Sequence, residues 1–287
     1  MSEKAASKPN LFIRIIGVFG ELLITAGALL GLFIVWQLWW TNVEANTEQA
    51  AEVTAVQEQF GTVDRQKIGE PQTGEPPAFD HSLPVDAPMG VIHIPAFGYD
   101  HSTVVKNGSS NAVLDTGAFG HYEDTAYPGE IGNFSTAVHR DIYGARMLNV
   151  DKLKAGDAIV VETDQAWLVY KFVDYEIVNP TDVYVIAADP YQAKDNLVTG
   201  AAVTAPTRRL LTITTCHPPL ISNQRWIVHA ELDHWVKRSD GVPAELVDPA
   251  AAGEATMSDG GTHTLRDAIS DALVSVEEAV TKNSKEA

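Results

Sequence analysis

The stretch LLTITTCHP, residues 210–218, mixes apolar and threonine side chains and ends at the only cysteine of the chain, Cys216. Branched side chains in such a run indicate a buried β-strand. Because the Pro218-Pro219 pair ends the strand, Cys216 is expected at the mouth of the strand rather than in its middle. Free cysteine is among the most buried residue types, so an inert structural Cys216 is the alternative.

Arg225 follows Cys216 by nine residues, just before the next strand-like segment. If the two strands pair antiparallel, a loop of that length brings the guanidinium back beside the sulfur. A cation at this place favours the thiolate and can hold a developing oxyanion. The spacing therefore favours a nucleophilic cysteine over an inert one.

A nucleophilic thiol needs a base, and the chain contains nine histidines. His217 is adjacent to Cys216, but neighbouring side chains of an extended strand point to opposite faces, so it is a poor partner. His139 ends the strand-like segment NFSTAV and thus lies at a strand mouth, as Cys216 does. Spacing favours His139 only slightly over His121, and the residues alone leave both open.

Six further strand-like segments surround the LLTITT run, separated by turn sequences such as YPG at 127–129 and KAGD at 154–157. They are GVIHIP after Met89, Ser102–Val105, Asn133–Val138, Ala158–Glu162, Ala166–Asn179 and Trp226–Leu232. Seven or eight short strands at this spacing, with few helical windows, predict an all-β barrel or sandwich.

The N-terminal region contains 19 uncharged residues, Leu22–Trp40, which as a helix span about 28 Å, close to one hydrocarbon core. Tryptophans gather at the far end, basic residues precede the segment and acidic residues follow it. This distribution predicts a single-pass anchor with a cytoplasmic N-terminus and an extracellular remainder. A cleaved signal peptide is the alternative, but its apolar region would be shorter.

Composition and charge exclude several classes of protein. The net charge of −18 argues against a nucleic-acid binder, and a single cysteine excludes a disulfide framework or a cysteine-rich zinc module.

We predict a juxtamembrane N-terminus (1–20), a membrane helix (21–41), an extracellular tether (42–84), a folded domain (85–237) and an acidic tail (238–287). The tail includes a possible amphipathic helix at Thr264–Thr281, and we expect residues 83–237 to fold without their flanks.

LLTITTCHP with the following Arg225, preceded by PGEIGNFSTAVHRD, resembles the sortases, which are cysteine transpeptidases of Gram-positive cell surfaces. The shared pattern is TLxTC, a downstream arginine on the next strand and an upstream catalytic histidine. The continuation CHP, the block AFGHYEDTAYPGEIGNFSTAVHR and the N-terminal anchor are most similar to class E sortases. The resemblance covers about Met89 to Trp235, with Val138 where a glycine commonly precedes the histidine.

The resemblance implies a closed β-barrel of about eight strands with short helices, and it assigns the site. Cys216 would attack a Thr–Gly bond in an LAxTG or LPxTG sorting signal, with His139 as acid and base and Arg225 holding the oxyanion. Tyr122, Thr215 and His217 would line the substrate site. Class E sortases tend to prefer LAxTG, and Tyr122 is our candidate for that preference.

The same resemblance implies the partners. Surface proteins or pilins that bear a sorting signal would be the donors, and an amine of lipid II or of another cell-wall precursor would be the acceptor. No cofactor and no metal ion is implied. Two alternatives stay open: a pilin-polymerising sortase with the Pro-rich segment GEPQTGEPPAFDHSLP as a lid, and a non-enzymatic exported β-barrel adaptor.

Overall fold

A computed structural model describes residues 11–249 of the chain, and Thr264–Thr281 lies outside the described residues. The helices are α1 (Leu11–Gln59), α2 (Asn111–Leu114) and α3 (Pro190–Thr199). The strands are β1 (Pro71–Gln72), β2 (Pro88–His93), β3 (Ser102–Asn107), β4 (Phe119–His121), β5 (Gly132–Ala137), β6 (Ala158–Glu162), β7 (Ala166–Val178), β8 (Arg209–His217) and β9 (Gln224–Lys237).

Eight of these strands form a closed barrel in the order β9-β7-β6-β2-β3-β4-β5-β8, and β8 pairs back onto β9. Two pairs are parallel, β3–β4 and β5–β8, and the other barrel pairs are antiparallel. The prediction of an all-β closed barrel of about eight strands with short helices is confirmed. The sequence analysis missed β4, because three residues with a central glycine carry little strand pattern.

The barrel interior is filled by alternate residues of the strands, as the two-residue period of a strand requires. Leu211 and Ile213 of β8 and Val228 and Ala230 of β9 belong to this core. Phe134 of β5 is also buried there. These positions fix which side chains of β5, β8 and β9 face inward and which face outward.

The first half of α1 is apolar and exposed. Its Arg14–Trp36 segment has a mean hydropathy of 2.2 with no part buried, and by length and composition it is a candidate membrane span. At about 1.5 Å per residue, its 23 residues cover roughly 34 Å, enough for one hydrocarbon core. The candidate span begins earlier than the predicted limits 21–41.

The second half of α1 packs on the barrel, although the sequence analysis predicts a solvated tether for 42–84. Ala45, Gln49, Val53 and Val56 are buried at intervals of three and four residues, which form one stripe along a helix. Val53 and Val56 belong to one buried cluster with barrel residues Val91 and Val104. The tether therefore begins as a docked helix, because short apolar side chains recur on one face.

The other end of the domain also extends beyond its predicted limit of residue 237. Arg238 is buried and pairs with the fully buried Glu162 at 3.1 Å. Its Nη1 donates to the carbonyl oxygens of Phe60 and Gly61, just past α1, at 2.9 and 2.8 Å. Val242 is buried in a cluster with Trp167. The residues that flank 85–237 thus close one end of the barrel.

Glu162 lies at the centre of this closure. Burial by itself raises the pKa of Glu162, but hydrogen bonds with His93 and Gln57 and the charge of Arg238 outweigh burial, so its pKa is lowered. A buried carboxylate that loses one partner destabilises a fold by about 3–5 kcal/mol.

We therefore expect the chain of residues 83–237 to unfold at a temperature at least about 10 °C below that of residues 42–249, because it lacks Gln57 and Arg238 around Glu162. Circular dichroism melts of the two purified chains measure the difference. Equal melting temperatures would show that the docked helix and the 238–249 segment add nothing to the barrel.

Candidate active site

Three neighbouring strands bring Cys216, His139 and Arg225 into one row. In the β8–β9 ladder, Cys216 is the direct partner of Arg225. In the parallel β5–β8 ladder, Ala137 is the partner of Thr214, and the next amide, that of Val138, donates to the Thr214 carbonyl at 3.1 Å. Continued two residues past the end of β5, the same register sets His139 level with Cys216.

The alternation of side chains places all three on the same face. Leu211 and Ile213 point into the core, so Thr212, Thr214 and Cys216 point outward. The same rule, counted from the core residues Val228 on β9 and Val138 beyond β5, turns Arg225 and His139 outward. Neighbouring strands are about 4.8 Å apart, so the thiol, the imidazole and the guanidinium share one patch of the outer barrel wall.

Cys216 and Arg225 form the centre of this patch. Cys216 is half-buried and free of disulfides. Arg225 is held by Nη1, which donates to the carbonyl oxygens of Ser222 and Gln224 at 3.0 and 2.9 Å. Within residues 11–249, no hydrogen bond uses its Nε or Nη2, so these donors are left for a ligand. A guanidinium held this way can donate to the oxyanion that forms when the sulfur attacks a carbonyl group.

His139 is oriented by two neighbours. Its Nε2 lies 2.9 Å from Oδ1 of Asp115, the residue that caps the C-terminus of α2. Its ring stacks on Tyr143, with centroids 5.1 Å apart. The side chain is 20% exposed, so the imidazole is held in place and remains accessible to a substrate. This geometry suits a group that exchanges protons with a bound peptide.

His121 lies elsewhere. It is fully buried, with Nδ1 near Asn107 Oδ1 at 3.3 Å and Nε2 near the Ala126 carbonyl at 3.1 Å. Burial lowers the pKa of His121, since desolvation disfavours the charged imidazolium. His121 packs against Phe134 in the interior, so it has no access to the outer patch.

His217 faces away from the patch, as its position beside Cys216 in the strand requires. Arg140 Nη1 donates to His217 Nδ1 at 2.7 Å, and the His217 ring meets the edge of Trp226 at 5.4 Å. Burial and the Arg140 charge lower the pKa of His217. Since Nδ1 accepts a hydrogen bond from a cation, this imidazole is neutral and built into the packing behind Cys216.

The two other predicted substrate residues have different surroundings. Thr215 is buried, and its hydroxyl donates to the Val138 carbonyl at 2.8 Å, so it ties β8 to the residue before His139. Tyr122 lies on the outer face, where its hydroxyl is 2.9 Å from Thr214 Oγ1. A groove runs between Tyr122, Thr214 and Arg225 on one side and residues 178–186 after β7 on the other.

A larger cleft lies at the opposite end of the barrel, lined by Phe60, Trp235 and Arg238 among others. Neither cavity is lined by a cysteine or a histidine, but the smaller groove includes Arg225, the ladder partner of Cys216. Position relative to Cys216 rather than size therefore selects the smaller groove as the candidate substrate site. Within residues 11–249, no three His, Cys, Asp or Glu side chains are grouped to hold a metal ion.

Sequence reasoning missed Asp115, Arg140 and Thr214. Thr214 precedes Cys216 by two residues on one strand, so strand alternation alone could have placed it on the reacting face. Asp115 is separated from His139 by 24 residues and reaches it only because α2 packs beside β4, which pairs with the end of β5. No local pattern indicates that contact.

A thiol, an imidazole and a guanidinium in one row on the outside of a closed barrel define a cysteine enzyme that acts on a carbonyl group. The family model "Sortase domain" matches residues 92–233. The chain is 35% identical over 222 residues to Sortase SrtE2 of Streptomyces coelicolor, which covers 76% of this chain and 81% of that protein. The chain belongs to the sortase family and is a cysteine transpeptidase.

Two further similarities support the assignment. Sortase SrtE1 of Streptomyces coelicolor is 33% identical over 249 residues, covering 84% of this chain and 64% of that protein. The solved structure of the SrtA sortase from Actinomyces oris matches with a TM-score of 0.55 and 33% identity, covering 64% of this chain and all of that chain. The names of the two Streptomyces relatives support class E.

The contact between His139 and Asp115 predicts a positioning effect. A pair as exposed as this one is worth up to about 1 kcal/mol, so we expect Asp115→Asn to lower kcat/KM by up to about fivefold and the melting temperature by no more than about 4 °C. Asp124→Asn, which removes an equal charge from an exposed position, is the control. A kcat/KM for Asp115→Asn equal to that of the control would show that the contact does not orient His139.

Proposed function

We propose that the chain is a membrane-anchored class E sortase that cleaves the Thr–Gly bond of an LAxTG or LPxTG sorting signal and transfers the protein to a cell-wall amine. The observation that carries the proposal is the pairing of Cys216 with Arg225 in the β8–β9 ladder, with His139 two residues past the end of the parallel β5–β8 ladder. An inert structural cysteine would not require an accessible histidine and a guanidinium with unused donors beside it.

The geometry supports the following sequence of steps. The Cys216 thiolate attacks the threonine carbonyl carbon, and Nε and Nη2 of Arg225 donate to the oxygen that becomes negative. The tetrahedral species collapses, the C–N bond breaks, and imidazolium His139 gives its proton to the leaving glycine amine. The acceptor amine then attacks the thioester, His139 takes its proton, and Cys216 leaves as thiolate.

The groove supports recognition of an extended peptide. Val178, Val185 and Ile227 form an apolar cluster beside Arg225, and the Tyr122 hydroxyl lies at the opposite edge. Apolar walls suit a leucine side chain, and a hydroxyl can hydrogen-bond a backbone amide. Alanine at the second motif position keeps that N–H, whereas proline lacks it.

The N-terminal half of α1 supports anchoring. Its Arg14–Trp36 segment is long and apolar enough to span a bilayer. Basic residues precede the segment and acidic residues follow it, which favours a cytoplasmic N-terminus and an extracellular barrel at the cell membrane. Because α1 continues without a break into the docked part, cleavage near Ala45 would remove Asn42, whose Oδ1 accepts a hydrogen bond from the Gly144 amide.

The Pro-rich segment favours attachment to the cell wall over pilin polymerisation. Pro71–Gln72 pairs with the last residues of β9, and His81 stacks on Tyr127 at 4.2 Å. These contacts lie toward the end of the barrel where β8 begins, while Cys216 lies where β8 ends. A lid over the active site would have to reach Cys216, and this segment runs elsewhere.

We expect Cys216→Ala and His139→Ala each to abolish transfer of an LAxTG peptide to an amine acceptor, because each removes a reacting group. His217→Ala should keep substantial activity, since His217 faces away from the patch. Chromatography of the products from the purified enzyme, with and without the amine, measures the transfer. An inactive His217→Ala with an active His139→Ala would refute the choice of base.

Arg225→Lys should be strongly impaired although it keeps the charge, because an ammonium cannot copy the planar set of donors. Loss of an oxyanion donor costs about 2–4 kcal/mol in transition-state binding. The kcat/KM for the LAxTG peptide measures the loss. Turnover near that of the unmodified enzyme would mean that Arg225 supplies only general positive charge.

LAxTG should be cleaved better than LPxTG in a mixture of the two peptides, because Tyr122 can bond the extra backbone N–H. Tyr122→Phe should reduce the preference, whereas Tyr127→Phe, outside the groove, should keep it. Mass spectrometry of the competing products gives the ratio. Equal or better LPxTG cleavage by the unmodified enzyme would contradict the preference, and an unchanged ratio in Tyr122→Phe would exclude Tyr122 from it.

A further inference from the structure

The turn between β8 and β9 presents two large apolar side chains to solvent directly beside the active site. Leu220 is 79% exposed and Ile221 is 68% exposed, while Cys216 and Arg225 flank the turn. Residues 217–224, HPPLISNQ, contain no Asp, Glu, Lys or Arg, although the whole chain carries −18. Exposed apolar surface without charge normally marks a contact site.

The backbone of this turn is built to hold its tip outward. Leu220 has a φ of 65° and Ser222 one of 57°, in the left-handed region that non-glycine residues rarely adopt. The Leu220 amide donates to Asp141 Oδ2 at 2.6 Å, and the amides of Ile221 and Ser222 donate to the Pro218 carbonyl. The exposure of Leu220 and Ile221 is therefore a fixed feature and not that of a loose loop.

The extramembrane half of α1 shows which way this tip points. Near the span, Asn42 Oδ1 accepts from the Gly144 amide at 2.9 Å, in the loop that follows His139. Farther along, the Phe60 carbonyl accepts from Arg238, at the end of β9 away from Arg225. The helix thus runs from the active-site end of the barrel to its opposite end, and the active-site end is the one nearer the span.

The length of the docked helix and the length of β9 agree with this orientation. Phe60 follows the end of the candidate span at Trp36 by 24 residues, a helical rise of about 36 Å. The 13 residue steps from Arg238, just after β9, back along β9 to Arg225 descend about 33 Å at a usual barrel tilt. With helix and barrel axis roughly parallel, Arg225 returns to about the level where the span ends, and the turn beyond it meets the bilayer.

We propose that Leu220 and Ile221 form a second membrane contact that seats the active-site end of the barrel on the bilayer surface. The inference rests on the proposed anchoring by α1. Two exposed apolar side chains at the headgroup level, in a turn whose residues 217–224 contain no Asp, Glu, Lys or Arg, fit the apolar side of a bilayer interface. The contact would hold the Cys216 thioester where a membrane-embedded amine can reach it.

Depth measurements test the contact in the full chain. Cys216→Ala removes the only cysteine, and single cysteines are then introduced as Ile221→Cys, Leu197→Cys or Leu29→Cys and labelled with an environment-sensitive fluorophore. Leu197, on α3, is the matched control because it is 69% exposed and lies outside the turn between β8 and β9. A label at residue 29, inside the candidate span, shows whether α1 is inserted in the bilayer. The proteins are placed in nanodiscs of phosphatidylcholine and phosphatidylglycerol that carry shallow or deep lipid quenchers.

We expect the shallow quencher to reduce the fluorescence of the residue-221 label several-fold more than that of the residue-197 label, and the deep quencher to act on the residue-29 label. Equal, weak quenching at 221 and 197 with strong quenching at 29 would overturn the membrane contact and leave the anchor intact. A residue-29 label in water would overturn both the anchor and the contact that depends on it.

A second variant separates membrane contact from peptide handling. Leu220→Ser with Ile221→Ser, in the otherwise unmodified chain in nanodiscs, should hydrolyse a soluble LAxTG peptide at an unchanged rate. Its transfer of that peptide to a diglycine coupled to a phospholipid headgroup should fall several-fold. An equal fall in both reactions would assign the tip to the peptide, and an unchanged transfer would contradict its role at the membrane.

Discussion

The backbone register among β5, β8 and β9 is the constraint on which the active site depends. The parallel β5–β8 ladder, continued two residues past its end at Ala137, sets His139 level with Cys216, and an antiparallel ladder sets Arg225 opposite Cys216. A shift of one residue in either ladder would turn the partner to the inner face of the barrel. The Thr215 hydroxyl, which donates to the Val138 carbonyl, reinforces this register at the position next to Cys216.

The outer wall of the barrel carries the chemistry because the interior is filled. Leu211, Ile213 and Val228 occupy the inner face of the same strands whose outer face holds Cys216 and Arg225. This division lets the core hold the strands in register while the outer side chains meet the substrate. The docked half of α1 adds a second level of organisation, because it contacts both ends of the barrel and continues into the candidate membrane span.

Part of this arrangement could be predicted from the sequence. The short spacing from Cys216 to Arg225 permitted a hairpin, and the structure contains it. The choice of His139 over His121 needed the resemblance to sortases, since both histidines follow strand-like segments. The structure shows why the residues alone left the choice open: the two differ in the face of the barrel they occupy, which depends on pairings that bring together residues distant in sequence.

Other features depend on contacts without a local pattern. Asp115 meets His139 only through tertiary packing, and the buried Glu162 gains its partners from α1, β2 and the segment after β9. The residues of α1 that dock on the barrel, Ala45, Gln49, Val53 and Val56, are visible in the sequence. Because Ala45 is small and Gln49 is polar, their pattern resembles that of a solvated helix. Apolar periodicity is a weak guide where the buried stripe contains Ala and Gln.

The central claim is that Cys216 and His139 act together on one peptide, and intact mass spectrometry of the acyl-enzyme tests it most directly. With an LAxTG peptide and no amine acceptor, the account predicts that the unmodified enzyme gains the mass of the peptide up to threonine, on Cys216, and loses it when an amine is added. His139→Gln should gain it far more slowly, with the mass still on Cys216. Acylation at the same rate without His139, or at any other residue, would contradict the account.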